Sequence, residues 1–167
     1  MTGVQTCALP IYLRSGVWVF PGGVLDAEDA TLHGRCDGED DAAHSVRLGL
    51  RSGGLDFAVA ALRECFEEVG LLFATGSGPA AALSERPQVL QGSDFATLCA
   101  RHDLRLDTSA LRYHSHWLTP PGIAKRFDTR FYVARLPADQ VPQADEGEAL
   151  EIAWLTPAQA LARSEEH

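Results

Sequence analysis

From Asp56 to Val69, apolar side chains fall at Val59, Leu62, Phe66 and Val69. That three-to-four spacing gathers them into one stripe of an α-helix. Asp56 stands where an N-cap belongs and Gly70 where a C-terminal glycine belongs, so the pattern predicts a helix over 56–69. Such a helix has to bury its stripe. A chain of 167 residues that is 46% hydrophobic can cover it within one globular domain.

The remaining pattern mixes strands with helices. Val17-Trp-Val-Phe20 is a short β-branched and aromatic run that ends in Pro21-Gly22-Gly23, a strand entering a turn. From about residue 30 to 55 the chain turns polar, densest at Asp37-Gly-Glu-Asp-Asp41, which predicts a surface insert with a solvated loop and a short helix near Ala42–Leu50. Ser93–His102 reads as a helix, Leu111–Leu118 and Phe127–Leu136 as strands, and Glu151–Leu155 as a last strand before a helix that begins at Pro157. The expected class is α/β.

A formal charge of −9 argues against general nucleic-acid binding, which relies on clustered Lys and Arg. It leaves open a phosphate-bearing small molecule held through a cation. No apolar run approaches the ~20 residues of a membrane span. Cysteines 7, 36, 65 and 99 form no CxxC pair, so free thiols are expected, with a cytoplasmic location as the default. The ends carry a separate signal. Cys7–Ile11 can be encoded as TGT GCT CTT CCG ATC, and Arg163–His167 as AGA TCG GAA GAG CAC, the same adapter read from opposite strands. Residues 1–11 and 163–167 are therefore expected to be non-native, leaving a domain over 12–162. Nothing in the sequence sets the number of subunits.

Within Arg63-Glu-Cys-Phe-Glu-Glu-Val-Gly70, three carboxylates at Glu64, Glu67 and Glu68 crowd the helix. Like charges three and four residues apart repel, and a hard divalent cation relieves this by taking their oxygens as ligands. The alternative is an ordinary solvated acidic face. The upstream Gly22-Gly23 allows close backbone approach and leaves a carbonyl free to join such a cation.

These residues resemble the Nudix box, G-x5-E-x7-R-E-U-x-E-E-x-G-U with U apolar. Its second half is matched by Arg63, Glu64, Cys65, Glu67, Glu68, Gly70 and Leu71. Its first half is matched by Gly23, with Asp29 at the glutamate position and Glu28 beside it. Residues 30–62 stand where the family spacing has seven. A box split here resembles the Nudix motif 19 type of coenzyme A diphosphatases. Val19–Asp26, Ala61–Gly70, Ser115–Pro120, Lys125–Tyr132 and Trp154–Pro157 resemble that subgroup too.

The resemblance implies a Nudix α/β/α sandwich around a mixed sheet, with its first strands lost before Val17. It also implies Mg2+ or Mn2+ held by Glu64, Glu67, Glu68 and the Gly22 carbonyl, with Glu64 taking a proton from water and Arg63 organising the helix. Glu148, in a distant loop with Glu146 and Glu151, is a candidate accessory ligand, as is Asp29 at the box's glutamate position. Arg126, Asp128 and Arg130 alternate along a strand and share a face. Both arginines are candidates to hold a substrate phosphate, against an ion-pair ladder as the alternative. His114 and His116 are read as structural or surface histidines, and Trp117 and Trp154 as core. The implied reaction cleaves coenzyme A or its acyl esters to 3',5'-ADP and a 4'-phosphopantetheine product. NADH, ADP-ribose or capped RNA as substrate, or a binding module without turnover, are the alternatives.

Overall fold

The computed structural model describes residues 11–13, 15–92, 94–122, 126–145, 147 and 149–164. The N-terminal part runs β1 (Ile11–Leu13), β2 (Trp18–Val19), a 3-10 helix (Asp29–Arg35), β3 (Cys36–Asp37), α1 (Asp41–Leu48) and α2 (Gly54–Val69). It continues through β4 (Ala74–Gly76), α3 (Pro79–Ser84), α4 (Arg86–Leu90), α5 (Phe95–Arg101) and β5 (Leu104–Asp107). After a 3-10 turn come β6 (Leu111–Leu118), β7 (Asp128–Ala134), β8 (Ala149–Ile152) and α6 (Pro157–Ser164). The expected mixed α/β class holds. Its described strands divide among three small sheets: antiparallel β2-β1-β8, mixed β3-β5-β4, and the antiparallel ribbon β6-β7.

The predicted apolar stripe of α2 is the centre of the core. Val59, Leu62, Phe66 and Val69 are all buried, with Leu98, Cys99, Leu104, Leu106 and Ile11 in the same cluster. Phe66 and Phe95 lie with ring centroids 5.4 Å apart, joining α2 to α5. Among the described residues no helix is long and apolar enough to cross a membrane. Cys36, Cys65 and Cys99 are free, as expected, and burial pushes their thiols up to about 11, 12 and 12. Cys7 lies outside the described residues, as do 1–10 and 165–167 of the two expected non-native runs. At their inner edges, Ile11 is fully buried and Arg163 stacks 4.6 Å over Trp18.

The polar insert is more ordered than its composition suggests. Asp37, expected in a solvated loop, lies in β3 and accepts from Arg105 Nε at 2.5 Å. Asp40 caps α1 through the Ala43 N–H at 2.9 Å. Asp41 reaches across to α2, accepting from Gly53 N–H at 3.0 Å and Leu55 N–H at 2.9 Å. It supplies from another helix the acceptor expected of Asp56, whose own carboxylate is 2.6 Å from His33 Nε2. The helix accordingly starts at Gly54, ahead of Asp56. Trp117 and Trp154, expected in the core, are instead 70% and 50% exposed.

The two N–H donors of Leu55 and Gly53 hold the Asp41 carboxylate below its ordinary range. A depressed carboxylate contributes stability that is complete above the unfolded value of about 3.9 and fades as pH falls through the lower folded value. Asp41→Ala is expected to cost about 1 kcal/mol at neutral pH in urea unfolding, the usual worth of a helix cap. The gap between variant and parent should close progressively below about pH 4.

Candidate functional site

The acids of α2 lie on two neighbouring ridges, because residues four apart stack along a helix. Glu64 and Glu68 form one and Arg63 and Glu67 the other, and Glu64 neighbours Glu67 across the groove between them at a spacing of three. The first ridge meets the glycine turn that follows β2. Gly22 N–H donates to Glu68 Oε2 at 2.7 Å. At Gly23 an added Cβ would lie 2.2 Å from Glu64 Oε1, so the Glu64 carboxylate occupies space that only a glycine leaves open. The turn and the acidic helix, separated by the whole insert, are in contact.

Arg63 ties these parts together. Its Nε donates to Asp29 Oδ1 at 2.9 Å and its Nη2 to the Val24 carbonyl at 2.9 Å. Its Nη1 donates to Glu64 Oε1 at 2.7 Å and Glu67 Oε2 at 3.2 Å. Burial alone would lower its affinity for a proton, but hydrogen bonding with Asp29 and the charge of Glu64 outweigh that and raise it. Asp29 is 1% exposed, and its second oxygen also accepts from Asp26 N–H at 2.7 Å. The residue at the box's glutamate position is therefore placed as the buried anchor of Arg63. Glu67 is pushed above the ordinary carboxylate range by burial and by its neighbour Glu64, with Arg63 opposing.

Behind the second ridge lies a cavity of about 200 Å³ lined by Asp26, Glu28, Asp29, Arg63, Glu67 and Asp94, among others. A hydrogen bond to Asp94 holds Glu28 above its ordinary value. Asp94 is held below its own, against burial, by Glu28 and the first N–H groups of α5.

The far end of α2 is gripped from two sides. Arg86 donates Nε and Nη2 to the Glu67 carbonyl at 3.1 and 2.8 Å. The loop after β7 closes over the last turn: Gln143 N–H donates to the Val69 carbonyl at 2.8 Å, and the Gln140 amide exchanges two hydrogen bonds with Leu72. Glu146 and Glu148, placed in this loop by the sequence, lie outside the described residues, and Glu151 is exposed on β8.

The two ribbon arginines have different partners. Arg126 is exposed and donates Nε to the Thr119 carbonyl at 2.9 Å. Arg130 stacks 4.1 Å over the Phe57 ring on α2, and its Nη1 donates to Asp128 at 2.6 Å. Asp128 also lies 2.7 Å from His116 Nε2 on β6, so the ladder reading describes Arg130. His114 is exposed.

With this geometry in place, comparison with known proteins is decisive on kinship. The NUDT19 Nudix domain model matches residues 50–167. The chain belongs to the NUDT19 Nudix domain family. It is 30% identical to the human (Homo sapiens) acyl-coenzyme A diphosphatase NUDT19 over 87% of this chain and 50% of that protein. It is 32% identical to the chicken (Gallus gallus) protein of the same name over 66% of this chain and 36% of the relative. The chain thus spans half the length, or less, of these two relatives. The crystal structure of a NUDIX hydrolase from Alicyclobacillus acidocaldarius superposes with a TM-score of 0.74 at 26% identity, covering 99% of this chain and 78% of that one. The family match begins at residue 50, near the end of the insert and well past Gly22-Gly23, so the meeting of that turn with the Nudix helix is a finding of the structure.

Sequence reading missed Arg86, the Val24 carbonyl and Asp41. An N-cap acid outside its own helix or a backbone carbonyl leaves no local pattern. The only signal for Arg86 was a single basic residue beside Pro87 in a largely apolar stretch.

Removing one partner of a buried ion pair strands the other. Asp29→Asn is therefore expected to cost about 3 kcal/mol in urea unfolding, at the lower end of the range for such breaks. A loss below about 1 kcal/mol would show that Arg63 is held by its other acceptors alone.

Proposed function

We propose that this chain carries the catalytic core of a divalent-cation-dependent diphosphatase acting on coenzyme A or acyl-coenzyme A. The products are 3',5'-ADP and a 4'-phosphopantetheine species. The observation that carries this reading is the convergence of Glu64 and Glu68 on the Gly22-Gly23 turn, with Arg63 bridging Glu64 and Glu67. The names of the human and chicken relatives support the substrate class.

The donor set is hard oxygen throughout, which suits Mg2+ or Mn2+. Among the described residues no three acidic, histidine or cysteine side chains already stand as a ligating group. Two of the box acids are engaged by Arg63 and one by the Gly22 N–H. These contacts, part-buried at Arg63 and exposed at Gly22, can be exchanged for a cation while Asp29 keeps Arg63 in place. The Glu64, Glu67 and Glu68 carboxylates and the Gly22 carbonyl are the assigned ligands, with Glu148 as an accessory. A cation there polarises a phosphoryl oxygen and acidifies water.

Glu64, packed against Gly23, accepts the proton of the attacking water. The water oxygen bonds to one phosphorus, and the bond from that phosphorus to the bridging oxygen breaks. The bridging oxygen leaves with the electron pair on the other phosphate. Positioning carries most of such a reaction, which is why the turn and helix must hold register. Arg126, exposed just before β7, is the arginine assigned to meet a substrate phosphate. Arg130, stacked beneath Phe57, supports the ribbon.

The test is 3',5'-ADP release from coenzyme A with Mg2+. Glu64→Gln is expected to lower kcat by about 100-fold or more, the usual contribution of a general base. Gly23→Ala would push a flexible carboxylate end rather than backbone. Its Tm should stay within a few degrees of the parent while activity falls. Undiminished cleavage by Glu64→Gln would overturn the assignment. Turnover of NADH or ADP-ribose in place of coenzyme A would move the substrate class, and binding without turnover would make the chain a recognition module.

A further inference from the structure

Glu67 and Glu68 sit in the last turn of α2, where a helix is least secure. The final carbonyls have no intrahelical donor, and this turn is the first to fray. If these carboxylates are cation ligands, as proposed above, something outside the box has to hold their backbone still. Arg86 meets that need. It is 8% exposed, and it gives two donors, at 3.1 and 2.8 Å, to the carbonyl of Glu67 itself. Glu67 thus lies between two guanidinium groups, Arg63 on its carboxylate and Arg86 on its peptide. The first contact can be exchanged for a cation; the second leaves the carboxylate untouched.

The box glycine belongs to the same device. Gly70 ends α2 in the left-handed conformation at φ 67, with its N–H bonded to the Phe66 carbonyl at 3.0 Å. A Cβ there would also lie 3.0 Å from Arg86 Nη1. Glycine suits the left-handed backbone, and a Cβ there would also crowd the guanidinium. The positive group lies at the negative end of the helix dipole, which adds to the hold.

We propose that Arg86 is a positioning residue for the Glu67 and Glu68 carboxylates, clamping the last turn of α2 so that both present their oxygens to a divalent cation. This rests on the ligand assignment above. The test measures Mn2+ binding directly, by loss of the free-ion electron paramagnetic resonance signal, without substrate. Unaltered protein, Glu67→Gln, Arg86→Ala and Arg86→Lys are compared, alongside amide exchange at Gly70 and Leu71.

Outer-shell partners of metal ligands are worth about 10-fold to 100-fold in affinity. Arg86→Ala is expected to weaken Mn2+ binding about tenfold and to speed exchange at Gly70 and Leu71 but not in the first turns of α2. Arg86→Lys should recover part of the affinity. Should Arg86→Ala fail to fold, Arg86→Lys decides, because a lysine cannot make the paired contact and should bind several-fold more weakly than the parent. Equal Mn2+ affinity in a folded Arg86 variant overturns the clamp while leaving the ligand assignment standing. Unaltered protein that takes up no Mn2+, or Glu67→Gln that binds it as well as the parent, overturns the ligand assignment and the clamp with it.

Discussion

A single guanidinium group holds the site in register. Arg63 sends its donors to a buried carboxylate at Asp29, a backbone carbonyl at Val24 and two acids of its own helix. Two of those acceptors precede the insert and two follow it. No lysine could replace it, since a point-charge ammonium lacks the planar fork that serves acceptors on several sides. The cost of burying this charge is offset by Asp29, a carboxylate that is itself buried and turned inward.

The insert is part of the same construction. Asp41 closes the N-terminus of α2 from a neighbouring helix, and Asp37 joins β3 to Arg105 on β5. At the opposite end, Arg86 and the Gln140–Gln143 loop close the C-terminus. The Nudix helix is therefore secured at both ends by residues outside the box. Its acids can carry mutual repulsion without unwinding it.

Much of this was legible beforehand. The stripe Val59, Leu62, Phe66 and Val69 located the central helix because burial on one face forces a helical period. The acids and the glycine pair were readable through their resemblance to the Nudix box, since spacing alone left an ordinary acidic face equally open. What escaped was set by distance in the chain. Asp56 looked like a cap because sequence shows only what is local, whereas Asp41 supplies the acceptor from another helix. Trp117 and Trp154 looked like core because large aromatics usually are, yet they stand on the outer parts of a two-stranded ribbon and a terminal loop. Arg130 and Arg126 alternate as expected, but Phe57, a residue of α2, captures one of them. No strand pattern announces that.

Cys65 stands between Arg63–Glu64 and Glu67–Glu68, one residue from an acid that does chemistry in the proposed reaction. It is half-buried against the core, and burial with the adjacent carboxylates Glu68 and Glu64 pushes its thiol up to about 12. A thiol in that condition is a poor nucleophile toward alkylating agents and peroxides. It packs as a small hydrophobe against the core, so the helix that carries the acids presents a sulfur that keeps its proton at neutral pH.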